Sequence, residues 1–206
     1  GQPVVLFLSG VSMVNAAMTT QLALDRFQID AIVFSGIAGG VDPSLNIGDV
    51  VVAGQWGSYL ESIMARETDG GFAVPPFLDS PFPNYGMIFT SETTVASDRG
   101  QPESRFWFPV DEILLQTARG VADSTELADC NAENACLDRT PQIRVGGNGV
   151  SGSAFVDNAG LREWIFETFD AQVVDMESAA VAQVAHPTTR QQQARAARVR
   201  AVMALA

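Results

Sequence analysis

The chain is 206 residues long, 47% apolar and 17% charged, which suits a packed globular domain and excludes an intrinsically disordered one. Its formal net charge is −12 and its 12 basic residues are all Arg, so it lacks the basic surface that nonspecific nucleic-acid binding or an anionic membrane demands. No apolar run is long enough to span a bilayer, and residues 4–8 are too short and lack the basic flank of a signal-peptide core.

The chain begins at Gly1 without Met, which reads as a processed or cut form. Residues 3–8 (Pro-Val-Val-Leu-Phe-Leu) predict a buried strand, and Ser9-Gly10-Val11-Ser12 turns it. Residues 15–27 carry Ala17, Leu22, Leu24 and Phe27 at helical spacing. Residues 31–34, short, apolar and partly β-branched, predict a second buried strand. The opening therefore reads β-α-β, with parallel, right-handed pairing. Gly36, Gly39 and Gly40 follow. Lacking a Cβ, glycine lets a ligand lie against backbone N–H groups, and the carboxyl ends of strands are where open α/β sheets bind ligands. Asp42-Pro43-Ser44 is turn chemistry, and residues 49–53 predict another strand.

Residues 55–109, with Pro75, Pro76, Pro81 and Pro83, predict an extended, helix-free insertion or lid, and the variable region extends to residue 141. Within it, residues 110–122 carry Val110, Ile113, Leu114, Ala118 and Val121 on one helical face, with Asp111 and Glu112 near the start. Cys130 and Cys136 have five residues between them. They form either a small loop disulfide, which suits an exported protein, or two free thiols; spacing leaves both open. With a single His and no second Cys pair, no zinc site is expected.

Residues 142–145 predict a strand. Gly147-Asn148-Gly149-Val150-Ser151-Gly152 matches Gly-x-Gly-x-x-Gly, but that fingerprint requires a helix beginning inside the motif. Residues 153–158 read as strand or loop, so a dinucleotide cofactor is not expected. Residues 161–169 predict a helix, 171–174 a strand, and 178–185, small and apolar, a tightly packed helix stopped by Pro187. Residues 188–206, rich in Gln, Arg and Ala, are helical by propensity. Neither repeat nor linker divides the chain, so residues 1–206 read as one domain.

Glu177 lies just past a buried strand, where a carboxylate must be hydrogen-bonded. It suits a sugar cis-diol, which offers two hydroxyl donors. It equally suits the free N–H groups of the helix that follows, and position alone favours this second role. Met176 offers a soft apolar surface for a ribose face and Phe155 a ring that stacks on a base, although core packing is the commoner fate of both types. His186, at a helix end, is expected as a dipole-stabilised cation. Ser9 and Ser12 lack a nucleophile elbow and a triad.

Four blocks in order carry a resemblance. They are Ser9-Gly10-Val11-Ser12-Met13-Val14-Asn15-Ala16-Ala17; Phe34-Ser35-Gly36-Ile37-Ala38-Gly39-Gly40 with Ile47-Gly48-Asp49-Val50-Val51; Ser151-Gly152-Ser153-Ala154-Phe155-Val156; and Val174-Asp175-Met176-Glu177-Ser178-Ala179-Ala180-Val181-Ala182. Together they resemble the nucleoside phosphorylase/nucleosidase family, closest to the methylthioadenosine/S-adenosylhomocysteine nucleosidases and their secreted and storage-protein relatives.

The resemblance implies an α/β fold, a three-layer α/β/α sandwich with a mixed central sheet. It implies cleavage of the N-glycosidic bond of purine nucleosides through an oxocarbenium-like transition state. Glu177 and Met176 would hold ribose, Phe155 and Val156 the base, and Gly39 and Val11 would line the pocket. The expected partners are a purine nucleoside or free purine base and a second copy of the chain; no cofactor, metal, nucleic acid or membrane is expected. The chain departs from the family in three places. The opening strand with its water-activating carboxylate would precede Gly1. Pro187-Thr188-Thr189-Arg190 stands where another strand and a purine-protonating Asp are expected, with no Asp or Glu after Glu177. Phe34 stands where phosphorolytic members place a phosphate-holding Arg. Hydrolysis is thus favoured over phosphorolysis, and no catalytic acid or base is assigned. A non-catalytic nucleoside-binding or storage-type relative and a purine nucleoside phosphorylase are the alternatives. A Cys130–Cys136 disulfide would favour the periplasm or secretion, free thiols the cytoplasm.

Overall fold

The computed structural model describes residues 3–96, 101–186 and 200–205. In chain order its elements are α1 (Met13–Arg26), β1 (Ala31–Gly36), β2 (Gly39–Gly40), β3 (Val50–Val52), β4 (Gln55–Ser58), β5 (Ser62–Met64), β6 (Arg66–Thr68), β7 (Gly71–Ala73), β8 (Ile88–Thr90), β9 (Thr93–Val95), β10 (Glu103–Arg105), β11 (Trp107–Pro109), α2 (Glu112–Ala122), β12 (Ile143–Val145), β13 (Asn148–Ser151), α3 (Ala159–Phe169), β14 (Ala171–Asp175), α4 (Ser178–Ala185) and β15 (Arg200–Leu205). Two of the helices start where side-chain chemistry demands it. Asp111 caps α2 by accepting from the Leu114 N–H at 3.0 Å, and Asn158 caps α3 by accepting from the Leu161 N–H at 2.8 Å, each satisfying a donor that the helix itself cannot.

The strands pair into two larger sheets, ordered β1-β15-β3-β12 and β11-β4-β13-β14-β2. Both mix parallel and antiparallel neighbours. Only Ala53-Gly54 separates β3 from β4, and only Gly146-Gly147 separates β12 from β13, and at both corners the chain passes from the first sheet to the second. Gly146 (φ 111°) and Gly147 (φ 72°) adopt the left-handed backbone that the second corner needs. Hydrogen bonds from Gly54 N–H to the Gly147 carbonyl (2.8 Å) and from Gly146 N–H to the Val52 carbonyl (2.9 Å) tie the corners together. Strand β14 is covered on both faces. Val173 packs with Ala179 and Ala182 of α4, and Val174 packs with Trp164, Ile165 and Phe169 of α3. The result is the expected α/β class with a mixed central sheet between helices.

Helix α1 lies on α4, where Ala16 meets Ala180 and Val181. The variable stretch is joined to the second sheet by β4 and β11. Outside that sheet it forms the pairs β5–β8, β6–β7 and β9–β10. Cys130 and Cys136 are joined by a disulfide, which resolves the choice their spacing left open.

Three predicted elements come out differently. Residues 3–8 form no strand and are exposed, with Leu6 94% and Leu8 92% accessible; an extended segment becomes a strand only with a ladder partner, and these residues have none among those described. Residues 31–34 do form a strand, but at a sheet edge with alternate residues exposed. Its parallel partner is β15 rather than residues 3–8. Of the segment 188–206, expected to be helical, residues 188–199 and 206 lie outside the described residues, as does Pro187. Residues 200–205 are strand, because pairing with β1 and β3 overrides local helix propensity.

Candidate functional site

The site is organised by the end of β14. Asp175, the last strand residue, is buried and points its carboxylate at the start of α4. It accepts from the Ser178 N–H at 3.0 Å and the Glu177 N–H at 3.3 Å. It also accepts from the Ser151 hydroxyl, and the Ser151 oxygen in turn accepts from the Ala179 N–H at 2.8 Å. The orphan donors of the helix start are therefore satisfied by Asp175 and Ser151. Burial raises the Asp175 pKa, with the hydrogen bonds from Ser151, Ser178 and Glu177 opposing it.

This arrangement frees Glu177 from the capping role that its position suggested. Its side chain makes no cap hydrogen bond. Instead Oε1 accepts from the Ser12 backbone N–H at 2.6 Å, and Oε2 is 3.2 Å from the Met176 N–H. The Ser12 N–H is aimed by an unusual loop, with Gly10 at φ 74° and Ser12 at φ 88°. A non-glycine residue at such a φ is strained, and strain of this kind concentrates at functional sites. A carboxylate has about four lone-pair positions, so two protein donors leave acceptor capacity for two ligand hydroxyls. Glu177 and Met176 are both half-buried, accessible to a ligand yet held from below.

The second part of the site is a cavity of about 640 Å³ on the glycine side. Gly39 and Val156 both line it, with Gly40, Leu45, Val173 and Arg162 among the other walls. Gly39 sits opposite Val174 in the β2–β14 pair. The outer wall is fixed by Asp49, whose carboxylate accepts from the Asn46 N–H (2.9 Å), the Gln142 N–H (2.9 Å) and Arg139 (2.8 Å). Burial works against that charge, but these partners outweigh it and hold the Asp49 pKa below its ordinary value.

The six residues singled out from sequence thus fall into three places. Glu177 and Met176 stand at the α4 start, with Val11 beside Ser12 in the facing loop and 69% exposed. Gly39 and Val156 share the cavity. Phe155 is 86% exposed and is not among the residues lining that cavity. Phe34, partly buried, packs against the Ala16–Ala180–Val181 cluster. His186 does end α4, but burial lowers its pKa and Arg105 adds to this while Glu103 opposes it, so its surroundings work against the cation expected there. The Gly147–Gly152 motif carries strand β13, and the next helix begins only at Ala159, so the dinucleotide geometry is absent there. Among the described residues no three His, Cys, Asp or Glu side chains group to hold a metal, and no helix is long and apolar enough to cross a membrane.

Sequence reasoning missed Asp175 and Ser151 as a pair, and the Ser12 N–H as a partner of Glu177. An Asp closing a strand two residues before a helix was a signal for the first. Nothing local signals the others, which lie 24 and 165 positions from their partners.

A family model described as the Phosphorylase superfamily matches residues 1–206. The chain belongs to that superfamily. It is similar to the 5'-methylthioadenosine/S-adenosylhomocysteine nucleosidase of Mycobacterium bovis, with 28% identity over 181 residues, covering 88% of this chain and 63% of the relative. It is also similar to bark storage protein A of Populus deltoides, with 26% identity over 190 residues, covering 88% of this chain and 60% of the relative. Its fold matches the 5'-methylthioadenosine/S-adenosylhomocysteine nucleosidase of Neisseria meningitidis, solved in complex with methylthio-immucillin-A, at a TM-score of 0.58 and 23% identity, over 96% of this chain and 64% of that one. The chain thus spans less than two thirds of the length of these relatives.

Proposed function

We propose that the chain binds a purine nucleoside and hydrolyses its N-glycosidic bond, with methylthioadenosine-type nucleosides as the substrate class. The observation that carries this reading is the release of Glu177 from helix capping: Asp175 and Ser151 serve α4 in its place, and Glu177 meets the Ser12 N–H instead. A carboxylate so held accepts the two ribose hydroxyls and places negative charge beside a sugar that becomes cationic in the transition state. Met176 supplies an apolar face for the sugar, Gly39 and Val11 line the approach, and Val156 and Phe155 contact the base. The similarity to nucleosidases supports hydrolysis. The apolar Phe34, half-buried against the α1–α4 contact, speaks against a phosphate acceptor. The Cys130–Cys136 disulfide favours an oxidising compartment.

The test is release of free adenine from methylthioadenosine by the purified chain, followed by chromatography. Release is expected without added phosphate, and Glu177→Gln is expected to slow it by at least about tenfold. The similarity to a bark storage protein favours a second reading, a non-catalytic nucleoside-binding relative. Binding without release would select it, whereas phosphate-dependent release would select a phosphorylase.

A further inference from the structure

Three arginines stand near the glycine side of the site, and two are already engaged. Arg139 donates to the Asp49 carboxylate at 2.8 Å. Arg144 donates to the Ser44 hydroxyl and carbonyl, each at 2.8 Å, and lies 3.5 Å from Asp42. Arg162 differs from both. It lines the cavity together with Gly39, Gly40 and Val156, and its guanidinium has no hydrogen bond or ion pair with any described residue. Its acidic neighbours in sequence, Asp157 and Glu163, do not pair with it either. The other charged group in the cavity lining, Asp49, is neutralised within the wall by Arg139. Arg162 is therefore the one uncompensated charge among the described lining residues.

Helix stability does not explain it. Arg162 stands in the first turn of α3, which carries no acidic residue, and a cation there opposes the helix dipole. Nor does packing, since the residue is exposed while Trp164 and Ile165 beside it carry the buried face of α3. Its position suits recognition of an anion. A guanidinium pairs in two-pronged fashion with a carboxylate or phosphate. The apolar walls at Val41, Leu45 and Val173 reduce the competing water that would weaken such a contact. Gly39 and Gly40 line the same cavity as the guanidinium, so a ligand seated there meets backbone rather than side chain on that wall.

We propose that this cavity accepts an acidic group, carboxylate or phosphate, and that Arg162 is the residue that recognises it. The ligand class becomes a nucleoside that carries such a group or binds beside a free anion that supplies it. This rests on the nucleoside reading of the Glu177 end.

The experiment is titration calorimetry of the wild-type chain, Arg162→Met and Arg162→Lys with four probes: adenosine, adenosine 5'-monophosphate, inorganic phosphate, and adenosine with phosphate present. Arg162 is exposed, so neither variant disturbs the core, and melting curves verify this. If the acid belongs to the ligand, the wild type binds the monophosphate about tenfold or more tightly than adenosine; if it is a free anion, phosphate raises the affinity for adenosine by a similar factor. Arg162→Met removes that gain and leaves adenosine binding within about twofold, and Arg162→Lys retains part of it because the charge persists without the fork. Adenosine binding with no gain from either anion source, or a gain that survives Arg162→Met, overturns the proposal and leaves the nucleoside reading standing. Arg162-dependent binding of phosphate with no binding of adenosine overturns the nucleoside reading and leaves the anion site. No binding of any probe overturns both.

Discussion

At the α4 end of the site the polar atoms hold one another. Asp175 takes two backbone N–H groups and the Ser151 hydroxyl, Ser151 takes a third N–H, and Glu177 is fixed by Ser12 from another part of the chain. At the cavity end the walls are mostly glycine and aliphatic side chains, with Asn46 and Arg162 among them, and the one carboxylate is locked to its own arginine. On the proposed reading the first end positions a reacting group, because the hydrogen bonds of Asp175, Ser151 and Glu177 admit few alternative geometries. On the same proposed reading the second end tolerates ligand shape and selects by the one charge of Arg162. Asp175 and Glu177 show the division at closest range. Only Met176 separates them, yet one caps α4 and the other reaches across to the Ser12 loop, where the proposed ligand role falls to it.

The largest expected effect comes from removing the buried partner. Asp175→Ala leaves the N–H groups of Glu177 and Ser178 and the Ser151 hydroxyl without their acceptor. It should cost about 2 kcal/mol or more in urea denaturation and loosen Glu177 as well. A loss below about 0.5 kcal/mol would show that the network does not hold the α4 end, since that is the range of an ordinary surface change. Glu177→Gln separates the two functions: stability should change by less than about 0.5 kcal/mol while nucleoside affinity falls about tenfold. Equal effects on both would merge the two carboxylates into one structural unit.

The two ends should also respond to pH in opposite directions. Burial raises the folded pKa of Asp175 above its ordinary 3.8. Its contribution to stability is therefore fully present below that value and lost as pH rises through the folded pKa. At Asp49, burial is outweighed by the N–H groups of Gln142 and Asn46 and by Arg139, so the folded pKa lies below 3.8. Its contribution is present above 3.8 and lost as pH falls through the folded pKa. Unfolding free energy measured against pH should lose its high-pH decline in Asp175→Asn and part of its acid decline in Asp49→Asn. The same slope in both variants would contradict the contrast. The smallest stability effect belongs to Phe155→Ala. The ring is 86% exposed, so stability should move by less than about 0.5 kcal/mol, while any role in stacking on the base appears as weakened nucleoside binding.

Helices α1 to α4 were legible in the sequence because each carries an apolar stripe or a small-residue face at helical spacing, two of them behind an Asp or Asn cap. The glycine wall was legible because Gly39 and Gly40 follow an apolar run directly. What failed was everything decided by a distant partner. Residues 3–8 and 31–34 look alike by composition, yet only the second finds a neighbouring strand, and even that strand lies at an edge. Glu177 was ambiguous for the same reason: the group that relieves it of capping, Ser151, lies 26 positions earlier in the chain. Nothing in the sequence sets Arg162 apart; only the cavity and the pairing of Arg139 and Arg144 do.

The central claim is that Glu177 is held ready for two ribose hydroxyls, and the most direct measurement compares adenosine with 2',3'-dideoxyadenosine by calorimetry on the wild-type chain and on Glu177→Gln. The account predicts that the wild type prefers adenosine by at least about tenfold and that Glu177→Gln loses most of this preference. Equal affinity of the wild type for the two nucleosides, or a preference that survives in Glu177→Gln, would contradict it.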